Sequence, residues 1–175
     1  MAILKIAKIG HPILFKKTNE ISKLDDIDLK EIVLNMSETM LDSSGIGLAA
    51  PQVGIQKQIL VIDLDIENPT TPPLVLINPE IIGSSASIET YEEGCLSIPG
   101  VYLDVIRPSS IKLSFRDEMG RPKKMNADGL IARCIQHEMD HLNGVLFVDR
   151  VTSQEDLDRE LNEHGFHKKD VVKIN

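Results

Sequence analysis

Residues 134–144 read CIQHEMDHLNG and carry the pattern His-Glu-x-x-His at His137, Glu138 and His141. Two histidines four apart on a helix can bring both imidazoles to one metal ion, with nitrogen–metal distances of about 2 Å. The glutamate between them stands beside such an ion as a general base. The pattern is usual in zinc proteases. A working site also needs a third ligand, and its identity decides what the metal can do.

A protease would take that ligand from Glu155, Asp156 or Glu160. These residues sit in QEDLDRELNE (154–163), where six charges in ten residues read as a solvated amphipathic helix. Cys134 shares the metal helix. It is seven residues from His141, about 10 Å along the axis, so it reads as a small apolar wall residue. Cys95 lies in EEGCLSIPG (92–100), a turn bounded by glycine and proline from which a thiolate can point into a cleft. Cys95 with the two histidines gives three protein ligands and an open fourth position, the layout of a catalytic site. A metal of that kind beside a carboxylate makes a nucleophile of water. Something must then hold the oxyanion formed on the attacked carbonyl. GIGLAAPQVG (45–54) offers small residues that allow close backbone approach, and Gln52 offers a neutral amide donor.

These groups must be carried by regular elements. Asp25–Asp42 has helical spacing at Leu29, Ile32, Val33, Met36 and Met40, with Asp25 or Asp26 as N-cap. QILVIDLD (58–65) and PLVLINPEII (73–82) read as strands, and residues 67–73 as a surface loop. IKLSF (111–115) and PKKMNA (122–127) form a hairpin that turns at Gly120. Asp128 caps a helix running to about Asn143, Gly144 closes it, and a last helix runs from Ser153 to about Glu163. On a helical wheel His137, Glu138 and His141 share the apolar arc of Leu130, Ile131 and Cys134. Three polar groups on a buried arc need a common reason, and a metal supplies one. Arg133 and Asp140 fall on the outer edge and read as a surface ion pair. His11 reads as a turn-flanking residue, and His164 and His167 as solvated. The expected class is α+β: short antiparallel β-sheets packed around a central metal-binding α-helix, with a C-terminal helix, in one domain over residues 1–175.

Composition narrows the partners. Hydrophobic residues make up 42% of the 175 and aromatic ones 3%, so Ile, Leu, Val and Met must build the core. A net charge of −8 argues against nucleic acid as the main ligand and against any specific nucleic-acid sequence. Lys5 and Lys8 interrupt the mildly apolar MAILKIAKIG, so neither a signal peptide nor a membrane span is expected. Two cysteines in a chain so read point to a reducing, cytoplasmic setting.

Three segments together, GIGLAAPQ (45–52), EGCLS (93–97) and QHEMDH (136–141), closely resemble the three motifs of the peptide deformylases, in the same order. The resemblance implies removal of the formyl group from N-formylmethionine at the start of nascent chains, with release of formate. It implies one divalent metal ion per chain, held by Cys95, His137 and His141. Fe²⁺ is the usual ion in this family, and Zn²⁺, Ni²⁺ or Co²⁺ can substitute. Glu138 would take a proton from the attacking water and pass one to the leaving amine. The Gln52 side-chain amide and the Leu96 backbone N–H would bind the formyl oxygen. Ile46, Leu130, Cys134 and His137 would wall the methionine pocket, and backbone groups of Ile46, Gly47 and Gly94 would pair with the substrate as an added strand. The family's role also suggests that the locally basic end, residues 164–175, docks transiently on the ribosome. Some members carry an arginine shortly after the motif cysteine. This chain has Val101 and Tyr102 there, which bears on the outer substrate contacts. A metallo-endopeptidase of the His-Glu-x-x-His type is the rival enzyme reading, and a structural metal module is the non-enzymatic one.

Overall fold

Leu29, Val33, Met36 and Met40 recur at three- and four-residue intervals and bury one face of the first helix, α1 (Leu29–Asp42). Asp28 caps it, its Oδ1 accepting from the Glu31 N–H at 3.1 Å. The caps considered at Asp25 and Asp26 lie outside the described residues, which in this computed structural model are 2–23, 28–65, 67–69 and 73–171. The chain leaves α1 through Ser44, in the left-handed region at φ 55°.

The main sheet is antiparallel, in the order β1-β2-β3-β6-β7. Its strands are β1 (Gly47–Ala49), β2 (Ile59–Ile62), β3 (Leu74–Ser84), β6 (Ser110–Arg116) and β7 (Pro122–Asp128). The second sheet is the hairpin of β4 (Ile88–Cys95) and β5 (Ile98–Pro108). In β2, Ile59 and Val61 face α1, while Leu60 and Ile62 face the opposite layer. Burial on both faces explains why this strand is a continuous apolar run without alternation. In β3 the register shifts between Ile77 and Glu80. Pro79 has no N–H to give the ladder there. Asn78, at φ 48°, uses its side chain to hold both backbone groups of Ile21, at 2.9 and 2.8 Å. The β6–β7 hairpin turns at Gly120 (φ 77°), as its sequence implies.

The helix carrying the metal pattern, α2 (Gly129–Leu142), packs against strands of both sheets and so lies centrally. Asp128 occupies its N-cap position, but the side chain makes no capping bond; Asn143 and Gly144 (φ 68°) end it. The last helix, α3 (Gln154–Glu163), is capped by Ser153, whose Oγ accepts from the Asp156 N–H at 3.2 Å. It covers a cluster of Val101, Leu103 and Val105 from β5 with Leu14, Phe147, Leu157 and Leu161. The chain then folds back through Phe166 and Val171 onto the same cluster. The architecture is α+β with antiparallel sheets around α2. The loop at 67–73 is only partly described, and among the described residues no helix is long and apolar enough to cross a membrane.

Candidate active site

The apolar arc of α2 is buried, with His137 at 8%, Glu138 at 5% and His141 at 1% exposure. Cys95 enters from the tip of the β4–β5 hairpin. One donor atom from each of Cys95, His137 and His141 lies within 4.8 Å of the others, and His141 Nε2 is 3.3 Å from Cys95 Sγ. Among the described residues this is the one His, Cys, Asp and Glu group placed to hold a metal. Glu155, Asp156 and Glu160 remain apart from it on α3, as a solvated helix would place them. Cys134 also stays out: its thiol faces the Ile46 carbonyl at 3.7 Å.

Two buried polar atoms here, Glu138 Oε2 and His141 Nδ1, have no hydrogen-bond partner. Such atoms cost free energy unless a ligand completes them. A soft thiolate with two imidazoles suits a divalent transition metal, so the residues present fit one. Burial pushes the Cys95 thiol up, but the His141 charge and hydrogen bonds from both imidazoles bring it well below the usual thiol range. Burial raises the Glu138 carboxyl, with the two histidines opposing that shift.

Behind His137 lies a buried charge network. His137 Nδ1 is 2.8 Å from Glu93 Oε1. Glu93 also accepts from Arg107 Nε at 2.6 Å and Nη2 at 2.8 Å, and from Arg133 Nη1 at 2.7 Å. Burial alone would raise its carboxyl; the Arg107 and His137 hydrogen bonds and charges reverse that and hold it at about 2. An ionised Glu93 fixes Nδ1 of His137 as the donor and leaves Nε2 for a metal. Asp140 closes the network, taking Arg107 Nη1 at 2.9 Å and Arg150 Nε at 2.6 Å. Phe147 stacks on the His137 ring, with centroids 5.8 Å apart.

The surface ion pair expected of Arg133 and Asp140 is therefore corrected. Each is 8% exposed, and each binds into the Glu93–Arg107 network. The wheel misleads because β4 and β5 cover that side of α2. Glu93, Arg107 and Phe147 were not assigned from sequence. The available signal was Arg107 itself, which continues the inward alternation of Val101, Leu103 and Val105 on β5. A cation at that position needs buried anions.

A cleft of about 530 Å³ opens over these groups, lined among others by Ile46, Gly47, Gln52, Gly94, Leu96, Tyr102 and Glu138. Gln52 Oε1 accepts the Ala49 N–H at 2.8 Å, which orients the amide. Its Nε2 then faces Ser97 Oγ at 3.1 Å and Cys95 Sγ at 3.6 Å. β1 is an edge strand of its sheet. Its Ile46 flank already accepts from the Asp63 N–H at 3.0 Å, so strand alternation turns the Gly47 backbone outward. A Cβ on Gly47 would lie 2.7 Å from Glu138 Oε1, so only glycine lets β1 approach the carboxylate this closely. Leu130 is 49% exposed on the first turn of α2, at the outer end of its apolar arc, and Cys134 lies behind Gly47. His11 serves its short turn, Nδ1 accepting from the Ile13 N–H at 3.2 Å, and His164 and His167 are exposed.

Comparison with known proteins gives a consistent picture. A family model described as polypeptide deformylase matches residues 3–157. A peptide deformylase of Prochlorococcus marinus is 66% identical over 171 residues, covering 98% of this chain and 84% of the relative. A peptide deformylase of a Synechococcus species is 64% identical over 171 residues, covering 98% and 85%. Among solved structures, a peptide deformylase from Synechococcus elongatus in complex with actinonin superposes with a TM-score of 0.90 at 51% identity, over 98% of this chain and 91% of that one. The peptide deformylase of Thermotoga maritima gives 0.80 at 38% identity, over 87% and 100%.

Proposed function

The chain belongs to the peptide deformylase family, and on that premise we propose how its residues remove the formyl group from N-formylmethionyl peptides. The family assignment makes it a metal-dependent hydrolase and does not favour the endopeptidase reading. Cys95, His137 and His141 hold the divalent ion. When bound, the ion supplies Lewis acidity that eases ionisation of water and polarises the formyl carbonyl. Glu138 takes the proton of the attacking water and returns one to the leaving amine. Gln52 Nε2 and the Leu96 N–H hold the formyl oxygen as it gains negative charge. Gly47 and Gly94, which both line the cleft, pair with the peptide backbone, Gly47 with its outward edge groups and Ile46 beside it. Leu130 and Cys134, on the same arc of α2, wall the methionine side chain with Ile46 and His137.

The observation that carries this reading is the convergence of Cys95, His137 and His141 within 4.8 Å beside a buried, unpartnered Glu138 oxygen. We assign Fe²⁺ as the working ion, with Zn²⁺, Ni²⁺ or Co²⁺ as substitutes, and the cytoplasm as the setting. The test is an anaerobic assay of formate release from formyl-Met-Ala-Ser, with metal analysis of the same sample. Release with one ion per chain supports the reading; metal retained at parental affinity in Cys95→Ser overturns the ligand set. The C-terminal end is assigned to transient ribosome docking. Its basic residues Lys168 and Lys169 are exposed, although Lys168 also meets Asp158 at 3.3 Å. Deleting residues 166–175 should weaken ribosome co-sedimentation, and unchanged binding removes the assignment.

A further inference from the structure

Residues 4–9 run as a strap that joins the two sides of the cleft. Leu4 and Ile6 pack on the cluster of α1, β2 and β3, while Ala7 and Ile9 pack on the cluster of β5 and α3. The Leu4 N–H donates to Thr39 Oγ1 on α1 at 2.8 Å. Further along, the Ala7 N–H donates to the Gln52 carbonyl at 2.7 Å, and the Ile9 N–H to the Ser97 carbonyl at 2.9 Å. Between them Lys8 turns into the cleft, and its Nζ donates to the Leu96 carbonyl at 2.7 Å. Three successive residues thus hold Gln52, Leu96 and Ser97, which flank the place assigned to the formyl oxygen.

We propose that Lys8 is a positioning residue for deformylation, holding the Leu96 carbonyl so that the Leu96 N–H and the Gln52 amide are set for the same oxygen. The proposal rests on the assignment of those two donors made above. Leu96 occupies the two-residue connection between β4 and β5, where no ladder bond of the hairpin sheet restrains it. Its side chain closes over Gly45, where an added Cβ would lie 2.7 Å from Leu96 Cδ1. Its carbonyl is held by the exposed Lys8 ammonium in a charge-assisted bond. Cys95 on its N-terminal side pairs with Ile98 in the hairpin, and Lys8 holds the carbonyl on its C-terminal side, so the Leu96 dihedrals between them have little freedom and the direction of the N–H follows. Among the described residues Lys8 is the one lysine or arginine lining the cleft. A neutral side chain of similar length would fill the space without holding the carbonyl.

The test compares metal-loaded parent, Lys8→Met and Lys8→Arg on formyl-Met-Ala-Ser, with amide hydrogen exchange over residues 94–100. Lys8→Met should lower kcat about tenfold, the scale of a modest misplacement of a catalytic donor. KM should stay within about twofold, because ground-state binding is untouched. Exchange at Ile98, which is buried and pairs with Cys95 across the hairpin tip, should quicken at unchanged metal content, and Lys8→Arg should recover most of kcat. Parental kcat in Lys8→Met, a rise in KM alone, or unchanged exchange overturns the proposal. Gln52→Glu separates it from its premise. Parental kcat there removes the oxyanion assignment, whereas a loss there with parental kcat in Lys8→Met removes the role of Lys8 alone.

Discussion

Replacing Glu93 by alanine removes four hydrogen bonds at once, two to Arg107, one to Arg133 and one to His137. Breaking a buried ion pair from one side costs about 3–5 kcal/mol, because the remaining charge is left buried. The lower end applies here. Arg107 keeps Asp140 at 2.9 Å, and Arg133 keeps the carbonyls of Val105 at 3.0 Å and Glu89 at 2.7 Å. At about 2–4 °C per kcal/mol for a chain of this size, about 3 kcal/mol lowers Tm by roughly 6–12 °C. The second effect is on the metal. Without Glu93, His137 loses the acceptor that fixes its tautomer and ring orientation, and loss of such a partner weakens metal binding about 10–100-fold. Glu93→Gln keeps an acceptor of the same shape for His137 and should retain more of both properties. Thermal unfolding of the metal-free chain and chelator competition on the loaded one read the two effects separately. If Glu93→Ala melts with the parent and competes for the ion as the parent does, the network neither stabilises the fold nor orients the ligand.

Two further perturbations address the cleft. Gln52→Glu keeps an acceptor for the Ala49 N–H but removes the donor facing Cys95 and Ser97. Its kcat for formate release should fall about 10²–10³-fold, the usual cost of one oxyanion donor, with metal content unchanged. Gly47→Ala sets a methyl 2.7 Å from Glu138 Oε1 and 2.8 Å from Cys134 Sγ, so β1 or the carboxylate must move. A displacement near 1 Å costs up to about 10²-fold in kcat/KM; a Gly47→Ala enzyme with parental kcat/KM would show that close packing of β1 on Glu138 is not needed.

Much of the site is legible in the sequence because it lies on a helix. The i, i+4 spacing of His137 and His141 and the apolar arc around them follow from helix geometry, and the structure buries that arc. Leu130 shows the limit of that argument. It shares the arc but sits on the first turn, beyond the layer that covers the histidines, and is half exposed. The β4–β5 hairpin is much less legible. On β4, residues 88–92 are exposed, so IETYEE shows no apolar alternation, and the tip at Leu96–Ser97 reads as an isolated turn. With the hairpin unseen, the outer edge of α2 looks solvated, and Arg133 and Asp140 look like surface charges. The strap at residues 4–9 is hidden for a related reason. Its bonds reach residues 88 positions away, as from Lys8 to Leu96, and no local pattern encodes them.

The central claim is that Cys95, His137 and His141 hold the ion while Glu138 handles the proton. Glu138→Ala, purified anaerobically and assayed for bound metal and formate release on the same sample, tests it most directly. The account predicts one ion per chain, as in the parent, with kcat lower by about 10²–10⁴-fold, the contribution of a general acid–base. Parental formate release from the metal-loaded variant would contradict it.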